Sequence, residues 1–245
     1  MTPSGRSAIA AAFSHLIMGS DVWVTSSVGT PLRRMTPCIT QAVGPRARPV
    51  DQPSERTRGV LIVHEWGFPH PRLTAITQQA RAEGWQVVHD CAHAFIYGLQ
   101  LAKMGSTVAF SLPKLLPVAN GGLLANGPGY DSGNVGAGTG RDRDWLTSLT
   151  EIGTIRSTGH VTHWQRLDLV VQAAGLGSLD RLGPGIIPQA YRLRVSKQFA
   201  ASQSFTSQHI ESAPPFYVGW LALPCHADLR EDYWQAVEVA IRALP

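Results

Sequence analysis

Residues 60–93, VLIVHEWGFPHPRLTAITQQARAEGWQVVHDCAH, decide the fold. Their first four, Val60-Leu61-Ile62-Val63, make the near-continuous apolar run of a strand buried on both faces. His64 to Pro71 reads as a loop at the carboxyl end of that strand. Leu73 to Glu83 reads as a helix stopped by Gly84, and Gln86 to Val88 as another buried strand leading into His89-Asp90-Cys91-Ala92-His93.

The pattern extends in both directions. Toward the N-terminus, Ala8, Ile9, Ala12, Phe13 and Leu16 recur at helical spacing within residues 5 to 18, Val22 to Thr25 is a short strand, and Leu32 to Val43 a helix. Gly44 to Gly59 is rich in Pro and Arg and has no period. On the other side, Thr107 to Phe110 and Gly122 to Ala125 are strands. Strands alternating with helices imply an α/β fold, a three-layer, mostly parallel sheet with helices on both faces and functional groups at the strands' carboxyl ends. The Gly-rich tract Asn126 to Gly140 is the candidate boundary between an α/β domain at 1–130 and a reduced C-terminal α+β domain at 131–245. Helices near Trp164 to Ala174, Gln189 to Ala201 and Leu229 to Leu244, with one strand at Phe216 to Leu223, are expected in the latter.

Composition narrows the function. The 245 residues are 44% hydrophobic and 16% charged, which suits a packed core and excludes disorder and coiled coil. The net charge of +4 is scattered, with no like-charge run and no aromatic residues interleaved among basic ones, so no nucleic-acid partner is expected. Seven Arg lie between Arg6 and Arg58, forming either a solvated face or a patch for small anions. The longest apolar stretch, Phe216 to Pro224, is far below the ~20 residues of a membrane helix, so no membrane association is expected. Cys38, Cys91 and Cys225 are few and dispersed, which favours a reducing, cytoplasmic setting over a disulfide framework. They read as small core residues, and His160 and His163 as surface groups.

Basic residues are split unevenly, 18 Arg against Lys103, Lys114 and Lys197, and only a lysine amine can form an imine. Lys114 lies in Ser111-Leu112-Pro113-Lys114-Leu115-Leu116-Pro117, just after a strand. Two readings stand: an amine desolvated between prolines and leucines, and so nucleophilic, or a side chain snorkelling to the surface. Asp90 closes a buried strand, where a carboxylate needs a cationic partner. A strand-end aspartate, a strand-end serine and lysine, and a Ser-Gly turn opening a helix together supply what pyridoxal 5'-phosphate requires: a carboxylate for its ring nitrogen, an amine for its aldehyde and a helix N-terminus for its phosphate.

These pieces also carry a resemblance. His64-Glu65-Trp66-Gly67-Phe68-Pro69, HDCAHAF at 89–95 and FSLPKLLPVANGGLLA at 110–125, preceded by Ser4-Gly5-Arg6-Ser7-Ala8 and followed by Leu223-Pro224-Cys225-His226, resemble in order the DegT/DnrJ/StrS sugar aminotransferases. These are pyridoxal phosphate enzymes with the aspartate aminotransferase-like fold. The resemblance implies that Lys114 forms the internal aldimine and then shuttles the substrate α-proton, that Asp90 pairs with the pyridinium, and that His93 donates to the ring hydroxyl. It implies further that Ser111 and the backbone amides of Gly5 and Arg6 hold the phosphate, while His64 and Gly67 fall in a loop lining the site; from the residues alone, His64 could equally just cap its strand. The implied activity moves an amino group from an amino acid to a keto-sugar nucleotide or related keto intermediate, in a homodimer. A second reading is a shortened, non-catalytic relative that serves as a binding or partner subunit. A third, a metal hydrolase built from His64, His89, Asp90, Cys91 and His93, matches no common zinc spacing, so no metal site is expected.

Overall fold

The computed structural model describes residues 1–26, 37–44, 46–114, 116, 118–127, 140–210, 212, 219–226 and 228–244. They fall into two compact units, Met1–Thr154 and Ile155–Pro245. The first is built on six strands, β1 (Ser20–Ser26), β2 (Ala47–Val50), β3 (Thr57–Val63), β4 (Gln86–Asp90), β5 (Thr107–Ser111) and β6 (Gly122–Ala125), in the order β2-β1-β3-β4-β5-β6. The first five in that order are parallel and β6 runs antiparallel to β5.

Side-chain alternation along the strands builds the three layers. Val22, Val24, Leu61, Val63, Val88 and Ala109 pack against α1 (Gly5–Ala12) and α2 (Pro37–Val43) through Ala8, Ile9, Ala12 and Ala42. The intervening Trp23, Val60 and Ile62 turn the other way, onto Ile76 and Ala80 of α3 (Leu73–Ala82). On that same face Val108 and Phe110 meet Phe95 and Leu101 of α4 (Phe95–Lys103). This is the expected α/β class with helices on both faces.

Two elements of this unit carry little signal in the sequence. β2 lies within the Pro- and Arg-rich stretch and contains Pro49, which an edge strand tolerates because the missing N–H is not needed by a neighbour. Helix α4 has no side-chain cap and includes Gly98, at which an added Cβ would lie 2.5 Å from Phe110 Cε1 and 2.7 Å from Cys91 Cβ. The glycine is thus a packing requirement of the helix on the strand ends. The α2 reading from Leu32 to Thr36 and the tract 128–139 lie outside the described residues, as does the side chain of Cys38.

The second unit contains most of α5 (Gly140–Ala173) and an antiparallel pair, β7 (Ala190–Arg194) with β8 (Trp220–Pro224), flanked by α6 (Gln198–Ser207) and α7 (Glu231–Arg242). The helix expected over 189–201 is not formed. Ala190 to Leu193 are all buried, Arg192 through its ion pair with Asp180, a continuous buried run that suits a strand, and helix begins only at Gln198. Residues 216–218 of the expected strand lie outside the described residues. Cys91 and Cys225 are buried, as anticipated, but His160 is buried too, with Nδ1 2.9 Å from the Pro188 carbonyl, because it occupies the inward face of α5. Among the described residues no helix is long and apolar enough to cross a membrane.

Candidate active site

Strand parity assembles the site. In β4, Val88 and Asp90 share the α1 face; the adjacent β5 presents Ala109 and Ser111 to the same side, with Ala109 paired to Asp90. Asp90 closes β4, is 5% exposed, and accepts a hydrogen bond from the Ala92 amide at 2.9 Å. Burial pushes its carboxyl up to about 6, against the Ala92 bond and the positive charge of Lys114, which pull it down. Among the described residues no cation forms a salt bridge with it.

The amino end of α1 abuts the carboxyl end of β5. A Cβ on Gly5 would lie 2.9 Å from that of Ser111, so only glycine allows this approach. Ser4 caps the helix, its Oγ accepting from the Ser7 amide at 3.2 Å, which leaves the Gly5 and Arg6 amides among the first-turn donors with no intrahelical acceptor. The Arg6 side chain is exposed. Residues 2–4 are strapped to the start of β6 by Thr2 N–H to Gly122 O (2.9 Å), Gly122 N–H to Thr2 O (2.8 Å) and Gly121 N–H to Pro3 O (3.2 Å).

Lys114 ends a single 3-10 turn, Leu112–Lys114, directly after β5. Leu112 and Leu116 are buried whereas Lys114 is exposed, so the expectation of a desolvated amine does not hold. The short turn commits the leucines to the core and leaves the lysine in solvent. Its charge still lowers the pKa of both Asp90 and His93, which places it within electrostatic reach of them. His93, in the turn after β4, accepts the Trp66 amide at Nδ1 (3.3 Å), and the two rings stack at 5.1 Å and 19°. Burial first, then the Lys114 charge, hold its imidazole down at about 3, so it is neutral.

Asp90, His93, Ser111, Lys114 and the start of α1 therefore gather at one sheet edge. His64 does not join them. It shares a parity with Ile62 and His89, on the opposite face, where its Nε2 is 3.1 Å from His89 Nδ1 and its Nδ1 accepts the His70 amide at 3.1 Å. His70 Nε2 is in turn 3.1 Å from Thr25 Oγ1. Burial lowers all three imidazoles, His64 to about 3 and His89 to about 4. The His64 amide also donates to the Asp90 carbonyl at 3.0 Å, extending the β3–β4 ladder by one residue. Gly67 is buried and left-handed (φ 90), directly after Trp66, itself left-handed (φ 57). Trp66 carries only a weak signal in the sequence, as an aromatic residue in a strand-end loop, and the histidine chain depends on strand register. Among the described residues no group of three or more His, Cys, Asp or Glu is arranged to hold a metal ion.

Residues 52–127 match the model of the DegT/DnrJ/EryC1/StrS aminotransferase family. That segment carries Asp90, His93, Ser111 and Lys114, and the family resemblance read from the sequence holds on it. No curated protein matches the chain. Among solved structures the chain is similar to S. venezuelae DesV in complex with a ketimine intermediate (18% identity, 98% of this chain and 82% of that one, TM-score 0.73). It is likewise similar to the aminotransferase TlmJ of Streptoalloteichus hindustanus (17%, 98% and 84%, 0.73) and the sugar aminotransferase CalS13 of Micromonospora echinospora (16%, 98% and 86%, 0.70). At these identities the likeness establishes the fold shared with DegT-type aminotransferases.

Proposed function

We propose that the chain is a pyridoxal 5'-phosphate-dependent aminotransferase that moves an amino group from an amino acid to a keto-sugar nucleotide or related keto intermediate. Residues 1–130 are the cofactor-binding part and 131–245 the reduced C-terminal part, in a cytoplasmic homodimer. The observation that carries this reading is the buried carboxylate of Asp90, without a salt bridge among the described residues, on the same sheet edge as Lys114 and the start of α1. A carboxylate left this way is costly unless a cation joins it, and a protonated pyridine nitrogen is such a cation. The close approach of Gly5 to Ser111 brings the amino end of a helix to a serine hydroxyl, a setting that suits a phosphate.

Bound there, pyridoxal phosphate supplies an electron sink for the pair released at the substrate α-carbon. Asp90 holds the ring nitrogen's proton. Ser111 and the Gly5 and Arg6 amides bind the phosphate, and His93 donates to the ring oxygen. Lys114 would hold the aldehyde end through Nζ, and as a free amine would take up the proton at the substrate α-carbon. Its exposure suits an amine that an incoming amino acid must displace.

The purified full chain, mixed with pyridoxal phosphate, is expected to show an absorbance band near the visible edge that an amino-acid donor shifts. Lys114→Ala is expected to lose that band; its retention in folded mutant protein would overturn the assignment.

A further inference from the structure

After β3 the chain turns through two consecutive left-handed residues, Trp66 and Gly67. For a tryptophan this backbone costs about 1–3 kcal/mol and persists only where its surroundings fix it. Beside the Phe68 N–H to Glu65 O bond that closes this turn, one imidazole contacts the tryptophan twice. The Trp66 amide donates to His93 Nδ1 at 3.3 Å, and the Trp66 indole stacks on the same imidazole with ring centroids 5.1 Å apart and planes 19° from parallel. The indole N–H is buried and has no hydrogen-bond partner among the described residues, so no polar contact of its own draws the indole away from this stack. At 3.3 Å the amide bond is long, and an imidazole free to swing would lose it. The stack keeps the ring plane in line with the amide.

A nitrogen that accepts an amide proton carries none itself, so the neutral imidazole has its proton on Nε2. We propose that Trp66 is a positioning residue for His93: its left-handed backbone presents the amide and its indole holds the ring, so that His93 is fixed as an Nε2–H donor toward the ring oxygen of the cofactor. The identity of that acceptor rests on the function proposed above, whereas the state of His93 is a property of the chain itself. A fixed donor would meet the ring oxygen only as an acceptor; an imidazole able to exchange tautomers would meet it either way.

Long-range proton–nitrogen NMR spectra of the 15N-labelled full chain without cofactor, with the His93 signal assigned through His93→Gln, read the tautomer directly. The wild type is expected to show His93 solely as Nε2–H, and Trp66→Phe to keep it. Trp66→Gly tolerates the left-handed backbone and keeps the amide but removes the ring; it is expected to give mixed tautomers and a roughly tenfold weaker pyridoxal phosphate Kd, the loss of about one hydrogen bond. Should that variant fail to fold, Trp66→Asn, which also enters the left-handed region, carries the same comparison. Positioning is overturned if the ring-deleted variant keeps the pure Nε2–H form, or if the wild type carries its proton on Nδ1. A Trp66-dependent tautomer in a chain that binds no pyridoxal phosphate would uphold the positioning and overturn the cofactor assignment instead.

Discussion

Gly122→Ala tests how the proposed phosphate end of the site is held. A Cβ at Gly122 would lie 2.2 Å from Ser4 O, 2.3 Å from Ser4 C and 2.7 Å from Gly5 N, all of them backbone atoms. Ordinary contact begins near 3.4 Å, so the start of α1 has to retreat by about 1 Å from β6. The strap of Thr2 and Pro3 on Gly121 and Gly122 then lengthens, at roughly 1 kcal/mol for each of its three hydrogen bonds, so stability should fall by about 1–3 kcal/mol. The same retreat carries the Gly5 and Arg6 amides away from Ser111. Two weakened charge-assisted bonds to a phosphate correspond to a roughly 10–100-fold weaker Kd for pyridoxal phosphate. Gly59→Ala is the matched control. Its Cβ meets Phe13 Cε1 at 2.9 Å, a side chain about 12 Å along α1 from the phosphate end, so it should destabilise while leaving Kd within about twofold. Urea titration and cofactor titration of both variants separate the two quantities. If Gly122→Ala binds as tightly as the wild type, or if Gly59→Ala loses affinity equally, the strap does not position the site.

Acid should unfold the protein through its histidine chain. His64 and His89 stay neutral in the folded state, at about 3 and about 4, but protonate near 6.5 when unfolded, so stability is full above 6.5 and falls as pH drops below it. At pH 5 the pair should have cost roughly 4 kcal/mol, offset by about 1 from Asp90, whose raised carboxyl takes up its proton in the folded state first. His93 and His160, held down by burial at about 3 and about 4, act in the same direction, so the pair's own share is read from His89→Gln, which should halve the pair's effect; an unchanged difference in urea midpoint between pH 5 and pH 7.5 would refute it. Asp21, fully buried in β1, accepts two hydrogen bonds from Arg48 at 2.9 Å and one from the Ser54 hydroxyl. Arg48→Ala removes the nearer of two cations from that buried carboxylate, leaving Arg56 at 3.8 Å and the Ser54 hydroxyl, and should lower the urea midpoint; Asp21→Asn, which leaves no buried charge, should lower it less. The reverse ranking in urea melts would show that the ion pair is not what joins β1 to β2.

How far the sequence could be read follows from which contacts are local. The run Val60 to Val63 announced a central strand because both its faces are buried, and the order of strand-end residues announced Asp90, Ser111 and Lys114. Three other readings needed contacts that no local pattern contains. Helix α4 hides Gly98 in its middle for the sake of Phe110 and Cys91. The strand β7 reads as helix until Arg192 is seen to be buried beside Asp180, with which it pairs. The exposure of Lys114 is decided by one 3-10 turn.

Register is the missing quantity that matters most for the site. Ile62 lies opposite His89 and Val63 opposite Asp90 in the β3–β4 ladder. That pairing sends His64 and His89 to the α3 face and Asp90 to the α1 face, where Ser111 and the start of the first helix wait. Because side chains alternate with a period of two, slipping β4 by one residue would bury His89 where Asp90 stands and put the carboxylate among the histidines. The motif HD at 89–90 is thus two adjacent residues with opposite surroundings. One stays neutral inside a polar chain on the far face, and the other is held, without a salt bridge among the described residues, at the edge where the proposed cofactor's ring nitrogen would meet it.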